Sequence, residues 1–224
     1  MHDSEKMSQV EAAAGPLWTP HKQKRALQTR EDLIRAARAI FARDGFEHAR
    51  IEDIAAHAGK TRGAFYANFE DKEDVFFAIF EEDLLHDQER VQPRLQAAAT
   101  TEDRIEAVTD DLLRLLRDRQ RTLLSLEFKM YAIRHPQKQN RLAKLHAQML
   151  LRCCTEKVDR FLPELADLSV EEKGRRTAEI AAILDGAALN LLFDPSSLGE
   201  EQLRRHVRLG VCEAMRTKGT DGCA

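Results

Sequence analysis

Glycine, proline and aromatic residues are scarce in this sequence. Its 224 residues include 10 glycines and 6 prolines, and aromatic residues make up 6%. A β-sandwich or β-barrel needs many more turn residues and β-branched runs than this composition offers. The 43% of hydrophobic and 33% of charged residues instead favour an all-α protein with heavily charged helix faces, long enough to bury a proper core.

The sequence also lacks long apolar runs. No stretch approaches the ~20 residues that a membrane-spanning helix requires. The first residues include Asp3, Glu5 and Glu11 and contain no apolar segment of a secretory signal peptide. We therefore expect a cytoplasmic protein with no membrane partner.

Cysteines are few, and they are badly spaced for a structural role. Cys153, Cys154, Cys212 and Cys223 form neither a zinc-binding pattern nor the disulfide framework of a small secreted protein. We expect reduced thiols, no metal site and no cofactor. A bridge from Cys153 or Cys154 to Cys212, or between subunits, remains an alternative, and it would make the protein a thiol-based redox sensor.

The net charge of −3 argues against a protein that coats DNA indiscriminately, but the charge is unevenly distributed. Residues 21–72 hold eleven Lys and Arg against eight Asp and Glu, whereas the segments on either side are acidic. Residues 21–30 carry Lys22, Lys24, Arg25 and Arg30 with no acid. This pattern is typical of a basic arm that contacts phosphates, and equally of an ordinary solvated charge run.

Apolar residues at 3-and-4 spacing predict four helices in the first hundred residues. Short helices 2 and 3, joined by a tight turn at Gly59 and Lys60, have the lengths of a helix-turn-helix. The predicted bounds are a first helix from an N-cap near Thr29 to Gly45, a second from Ile51 to Ala58, a third capped by Thr61 and ending near Tyr66, and a fourth capped by Asp71 and ending near Pro93.

Five more helices are predicted in the larger remainder of the chain. They begin near Thr100, run from Arg121 to Arg134, from Gln137 to Phe161, from the cap Ser169 to Phe193, and from Gly199 to Arg216. We divide the chain into a disordered extension (1–20), a helix-turn-helix domain with its basic arm (21–72), a larger helical domain (73–216) and a flexible tail (217–224).

A string of positions across the first helices resembles the DNA-binding domain of the TetR family of transcriptional regulators over about residues 29 to 77. The matching positions are Thr29-Arg30 through Phe41, Gly45-Phe46, Ile54-Ala55, Ala58-Gly59, Gly63, Phe65-Tyr66, Asn68-Phe69, Lys72-Glu73 and Val75. Three places depart from the family pattern. Ala49 and Arg50 stand where a phosphate-binding threonine is usual, Lys60-Thr61 replaces Val-Ser, and Asn68 replaces His.

The resemblance implies that helix 3 enters the major groove of DNA. Arg62 is the best candidate for a bidentate contact to guanine, Gly63 permits close backbone approach, and Ala64 suits a thymine methyl group. Phe65 and Phe69 are expected in the core. The full set of predicted DNA-binding residues is Lys22, Lys24, Arg25, Arg30, Arg50, Lys60, Thr61, Arg62, Gly63, Ala64, Tyr66, Asn68 and Lys72, with Thr61, Tyr66 and Lys72 on phosphates.

The same resemblance implies a ligand-binding and dimerisation domain after residue 73. Small and apolar residues on the last two helices favour a four-helix dimer interface, although this face could instead pack within one subunit. The predicted interface residues are Ala178, Ala181, Ala182, Asp185, Leu189, Leu203, Val207 and Val211. The candidates for a lipophilic ligand site are Leu112, Leu116, Phe128, Tyr131, His146, Met149, Leu150, Cys153 and Asn190, each of which could simply be core.

We therefore predict a sequence-specific regulator of transcription, a homodimer on a palindromic operator in double-stranded DNA. A small-molecule effector would release it by tilting helix 4. No Gly-rich phosphate loop, Ser/His/Asp set or metal-spaced set is visible, so the sequence does not indicate an enzyme. The remaining alternatives are the redox sensor and a sequence-indifferent architectural DNA binder, which the acidic C-terminal part disfavours.

Overall fold

The computed structural model describes residues 20–157 and 162–216, and the side chains of residues 24–150 and 162–216. Within these ranges the chain forms helices and no β-strand, which confirms the predicted all-α fold. In chain order the helices are α1 (Pro20–Asp44), α2 (Ile51–His57), α3 (Arg62–Tyr66), α4 (Lys72–Ala97), α5 (Thr101–Arg117), α6 (Arg119–Arg134), α7 (Pro136–Lys157), α8 (Val170–Phe193) and α9 (Glu200–Ala214), with a 3-10 turn at Pro163–Leu165.

Side-chain caps set the start of several helices where the sequence predicted them. The hydroxyl of Thr61 accepts a hydrogen bond from the third residue of its helix, and Asp71 and Ser169 do the same. Thr100 and Asp103 form a reciprocal capping box, with N–O distances of 3.1 and 2.9 Å. Each cap satisfies backbone N–H groups that the helix itself leaves unpaired.

Two helix bounds differ from the prediction. Helix α1 begins at Pro20, so Thr29 lies inside the helix and the predicted basic arm forms its first turns. Proline suits a first helical turn, and the following Ala26, Leu27 and Gln28 favour helix. Helix α4 continues through Pro93 to Ala97, and packing of Leu95 in the C-terminal core offsets the backbone hydrogen bond that proline removes. Residues 1–19 of the predicted extension, the predicted tail, and the predicted continuation of the seventh helix over residues 158–161 lie outside the described residues.

An aromatic cluster joins the helix-turn-helix to the C-terminal domain. The ring of Phe46, just after α1, lies 5.1 to 5.6 Å from the rings of Phe41, Phe76 and Phe128 and 5.0 Å from that of Tyr131. The rings of Phe76 and Phe128 stack at 3.8 Å. Such ring pairs contribute beyond their buried area. Phe128 and Tyr131 therefore belong to this core, and their role as ligand contacts stays a prediction.

A second core fills the centre of the C-terminal domain, where α9 packs against α5 and α8. Leu203, Val207 and Val211 are buried in it within the same subunit, which is the alternative that the sequence left open. Their apolar spacing marked a buried stripe, and their role as dimer contacts stays a prediction. Helices α8 and α9 approach so closely that a Cβ on Gly210 would lie 2.5 Å from Cδ1 of Ile183.

Candidate nucleic-acid interface and internal cavity

A tight turn between α2 and α3 sets the geometry of the helix-turn-helix. Gly59 has a φ of +65°, a conformation that glycine adopts without the strain a side chain would bring. The N–H of Lys60 donates to the carbonyl of Ala55 at 2.9 Å and closes the turn. Phe65 then turns inward into the core, which leaves the opposite face of α3 exposed.

Arg62 lies on this exposed face at the start of α3. Its Nη1 lies 2.9 Å from Oε1 of Glu52 on α2, and its Nη2 donates to the hydroxyl of Tyr66 at 3.3 Å. The guanidinium carbon also lies 5.4 Å from the centre of the Tyr66 ring. Contacts with Glu52 and Tyr66 thus hold the side chain of Arg62 on the exposed face. Acceptor atoms of a DNA base can take the place of both contacts.

Two further predicted DNA contacts are engaged by the protein itself. Nζ of Lys60 lies 3.1 Å from Oδ2 of Asp32, and a hydrogen bond from this lysine lowers the pKa of Asp32. The guanidinium of Arg30 covers the ring of Phe69 at 4.9 Å. Both cations remain at the surface, so contact with phosphate requires them to exchange these partners.

Two more predicted contacts lie on or beside α3. The side-chain amide of Asn68 donates to the carbonyl of Ala64 at 2.8 Å, which turns it back on its own helix. The hydroxyl of Thr61 accepts from the N–H of Ala64 at 3.1 Å, an arrangement that leaves its proton for a phosphate.

Among the remaining predicted DNA-binding residues, the exposed ones lie on α1, on α3 and just before α2. Lys24, Arg25, Arg50, Gly63 and Tyr66 are exposed, and Arg50 immediately precedes α2. The side chain of Lys22 lies outside the described residues. The positions of these side chains leave their predicted roles open to experiment.

Lys72 has a structural role that the sequence did not predict. Its Nζ donates to the carbonyls of Phe46 and Glu47, at 2.9 and 2.6 Å, and lies 5.0 Å from the Phe46 ring centre. Burial lowers the pKa of Lys72. Because the ammonium already holds the loop between α1 and α2, the structure argues against its predicted contact with phosphate. Glu127 of α6 holds the same loop by accepting from the N–H of Phe46 at 2.8 Å.

A buried polar cluster ties the first turn of α4 to α6 and α7. The hydroxyl of Tyr131 donates to Glu73 at 2.5 Å, and Nζ of Lys138 lies 2.5 Å from Glu73 and 2.9 Å from the Tyr131 hydroxyl. Burial alone would raise the pKa of Glu73, but these hydrogen bonds outweigh it and lower the pKa to about 2. Sequence reasoning missed Glu73 and Lys138, since nothing local pairs residues this far apart.

A cavity of about 350 Å³ lies between the helices of the C-terminal domain. Most of its wall is apolar, and α4, α5, α6, α7 and α8 all contribute to it. Four predicted ligand contacts lie in the wall: Leu112, Leu116, His146 and Leu150.

Four other predicted ligand contacts do not line the cavity. Met149 is buried outside the cavity wall, and Phe128 and Tyr131 belong to the aromatic core. Asn190 is exposed and donates to the carbonyl of Gly186 at 2.7 Å, so the partner that its side chain needs lies within its own helix. The side chain of Cys153 lies outside the described residues.

Charged residues in the cavity wall were not predicted. Arg121 of α6 lies 2.6 Å from Oδ2 of Asp87 on α4, and Arg90 lies 2.9 Å from Asp87 and 2.7 Å from Asp111 on α5. Arg121 also lies 3.5 Å from Asp83, whose carboxylate binds Arg38 of α1. This chain of ion pairs therefore leads from the cavity wall to the first helix of the DNA-binding domain.

A second surface stands out at the C-terminal end of α8, where large apolar side chains are exposed. Leu189 is 61% exposed and Phe193 88%. Leu209 of α9 is 51% exposed but lies next to Gly210, which packs on Ile183 in the middle of α8. The predicted interface residues Ala178 and Ala182 are also exposed on α8, while Ala181 and Asp185 are half-buried and line the cavity. Phe193 and Leu209 were not among the predicted interface residues.

The part of the chain that the structure describes contains neither a metal-binding cluster nor a membrane-spanning helix. No group of three or more His, Cys, Asp or Glu in residues 20–157 and 162–216 could hold a metal ion. No helix in those ranges is both long and apolar enough to cross a membrane. Cys212 is buried, and the side chains of Cys153, Cys154 and Cys223 lie outside the described residues, so the thiol hypothesis stays untested.

The structure combines a helix-turn-helix, whose short helix α3 exposes an arginine, with a larger helical domain that contains a cavity. This combination is typical of DNA-binding proteins that also bind a ligand. Two family models match the chain. Residues 33–79 match the bacterial regulatory proteins of the tetR family, and residues 101–212 match the C-terminal domain of BetI-type transcriptional repressors. The chain belongs to the TetR family of transcriptional regulators. Members of this family are regulators and not enzymes, as the sequence indicated.

A curated relative agrees with this assignment. The HTH-type transcriptional repressor BepR of Brucella suis is 44% identical over 54 residues, which is 24% of this chain and 26% of the relative. The chain thus spans about a quarter of the length of that curated relative.

Similarity to solved structures extends over most of the chain and concerns the fold. A TetR-family regulator from Rhodococcus sp. has a TM-score of 0.57 at 18% identity, over 84% of this chain and 99% of that one. The regulator FadR of Bacillus subtilis, solved in complex with stearoyl-CoA, has a TM-score of 0.52 at 19% identity, over 83% and 96%.

Proposed function

We propose that this chain is a dimeric repressor that binds a two-fold symmetric operator and leaves it when a small lipophilic effector fills the cavity. The observation that carries the proposal is the placement of α4. Val75 in its first turn packs into the core of the helix-turn-helix, and Glu73 lies in the polar cluster. Its later residues Leu84, Asp87 and Val91 line the cavity.

One helix therefore connects the two sites, and an occupant of the cavity presses on the helix that positions α3. A tilt of α4 changes the separation of the two recognition helices in a dimer, so that both no longer fit successive major grooves. Release requires the effector to bind the tilted state more tightly than the DNA-bound state. In this proposal, α4 transmits the binding of the effector from the cavity to the DNA-binding domain.

The dimer is supported by the exposed apolar end of α8. A single recognition helix reads only a few base pairs, and a symmetric dimer doubles the contacts at half-sites about one helical turn apart. Leu189 and Phe193 leave apolar side chains in water unless a second subunit covers them. The FadR neighbour was solved in complex with stearoyl-CoA, and this supports a lipophilic effector for the present chain.

The experiment is a selection of genomic DNA fragments with the full-length protein, followed by fluorescence anisotropy on the enriched duplex. We expect an inverted repeat bound by two chains. Arg62→Ala should relax the preference at one base pair in each half-site, whereas Arg114→Ala, which removes an exposed arginine of α5, should not. Weak binding to every fragment, unchanged by Arg62→Ala, would contradict the proposal.

A further inference from the structure

The charged side chains at one end of the cavity already form ion pairs within the protein. Arg90 donates to Oδ1 of Asp87 at 2.9 Å and to Asp111 at 2.7 Å. Oδ2 of Asp87 lies 2.6 Å from Arg121 as an ion pair but accepts no hydrogen bond from any residue that the structure describes. Each carboxylate in this part of the wall thus has a guanidinium partner. A ligand charge placed here would meet groups whose charge is compensated already.

The cations elsewhere in the wall are engaged as well. Nζ of Lys129 on α6 binds both carboxylate oxygens of Asp185 on α8. Arg176 donates to the carbonyl of Ala214 at 2.7 Å, and Lys173 is also engaged. A charged ligand would therefore have to break an existing pair, because a buried charge without a partner costs far more than it gains.

Two polar side chains in the cavity wall, Ser125 of α6 and His146 of α7, form no ion pair and no hydrogen bond within the described residues. Burial, reinforced by the charge of Lys129, lowers the pKa of His146 to about 4, so its imidazole is neutral at neutral pH. A neutral imidazole offers one donor and one acceptor, and a serine hydroxyl offers both. The imidazole ring also lies 5.3 Å from the ring of Phe80.

We propose that the cavity takes an uncharged, largely apolar molecule that carries a hydroxyl or carbonyl oxygen and hydrogen-bonds through that oxygen to Ser125 and His146. The proposal rests on the proposed function in treating the cavity as the effector site. The apolar wall takes the body of the ligand, and the two unused polar groups fix its orientation. Anions such as fatty acids and acyl-CoA, and quaternary ammonium compounds, are disfavoured.

The test uses displacement of Nile red, an uncharged dye, from the full-length protein by four compounds on one skeleton. These are naphthalene, 2-acetylnaphthalene, 2-naphthoate and (2-naphthylmethyl)trimethylammonium. We expect the ketone to bind roughly three- to tenfold more tightly than naphthalene, which is the usual effect of one hydrogen bond. We expect both ions to bind more weakly than naphthalene. Ser125→Ala and His146→Phe should each reduce the advantage of the ketone, and Ser197→Ala, in the exposed loop before α9, should not.

Equal or tighter binding of naphthoate or of the ammonium ion would overturn the proposal. So would a ketone that binds no better than naphthalene, or a series that displaces no Nile red. Anisotropy on the selected duplex, with the same compounds and protein, separates this failure from a failure of the proposed function. A charged compound that releases DNA refutes the ligand class alone, whereas a protein without a preferred duplex refutes the regulator whatever the dye reports.

Discussion

Arg62 of α3 and Glu52 of α2 form an ion pair across the helix-turn-helix, with 2.9 Å between Nη1 and Oε1. Their side chains are 62% and 54% exposed. Exposed pairs contribute little to stability, so a base can take the place of the carboxylate at little cost. The pair therefore orients Arg62 in the free protein without withholding it from DNA.

Replacing Arg62 by Lys should damage recognition nearly as much as replacing it by Ala. A guanidinium reads O6 and N7 of guanine with two parallel hydrogen bonds, while an ammonium is a point charge without that geometry. We expect either variant to lose about 1–3 kcal/mol of discrimination at one base pair per half-site. Anisotropy on the operator and its single-base variants measures this. A lysine variant with full discrimination would show that Arg62 binds a phosphate.

Glu52→Gln should strengthen binding to all DNA duplexes. The change removes a negative charge from the surface that faces the phosphates and frees Arg62 from its intramolecular partner. We expect roughly two- to fivefold tighter binding to unrelated duplexes at low salt, with the gain shrinking as salt screens the charge. The matched control is Glu171→Gln, an exposed glutamate at the start of α8. Weaker binding to the operator alone would instead mean that Glu52 accepts a hydrogen bond from a base.

Local features were predictable from the sequence and distant pairings were not. The caps Thr61, Asp71, Thr100 and Ser169 were found because each acts on a residue three positions away. The turn at Gly59 is likewise a local requirement of the backbone. The start of α1 was placed too late because Thr29 has the character of a cap but lies inside a run of good helix formers.

Pairings between helices depend on tertiary packing, which periodicity does not specify. An apolar stripe shows that a face is buried and leaves open what covers it, so the sequence could not decide whether Leu203 and Val207 pack within one subunit or against a second one. The cavity wall posed the same problem. Arg121 and Asp87 look like solvated charges on their own helices, and only the packing of α6 on α4 brings them together.

Tyr131→Phe should destabilise the protein by about 1–3 kcal/mol. The change removes a donor to the buried carboxylate of Glu73 and leaves it with Lys138 as its side-chain partner. Chemical denaturation measures the loss. Tyr66→Phe is the matched control, because Tyr66 is exposed on α3 and we expect no change in the free energy of unfolding. Equal effects of the two substitutions would contradict a structural role for the cluster.

His146 should make the protein less stable as the pH falls from about 6.5 to 4. Its pKa is lowered to about 4 in the folded state against 6.5 for the free side chain, so the unfolded state takes up the proton first. Acidification through this window therefore favours unfolding, by at most roughly 3 kcal/mol. Glu73, with a pKa of about 2, loses its stabilising charge only below its ordinary value of 4.5. Burial raises the pKa of Asp71 and Asp111, and these groups change stability in the opposite direction, so a loss of stability in the upper part of the window is assigned to His146.

The measurement for His146 is the free energy of unfolding at several pH values between 7 and 4.5. His146→Gln should flatten the dependence in this range. His86→Gln, at an exposed position on α4, should leave it unchanged. A wild-type protein whose stability is constant between these pH values would show that the imidazole is solvated in the folded state.

Phe193→Glu should separate the dimer into monomers. Phe193 is 88% exposed at the end of α8, beside the exposed Leu189, and a carboxylate there would be buried against a second apolar surface. A buried unpaired charge costs several kcal/mol, enough to shift a dimer to monomer at micromolar concentration. Sedimentation equilibrium reports the mass, and operator binding should weaken with it. Ile133→Glu, at a 56% exposed position on α6, should leave the dimer intact. If Phe193→Glu remains dimeric, the subunits meet through another face and the exposed apolar end of α8 has a different occupant.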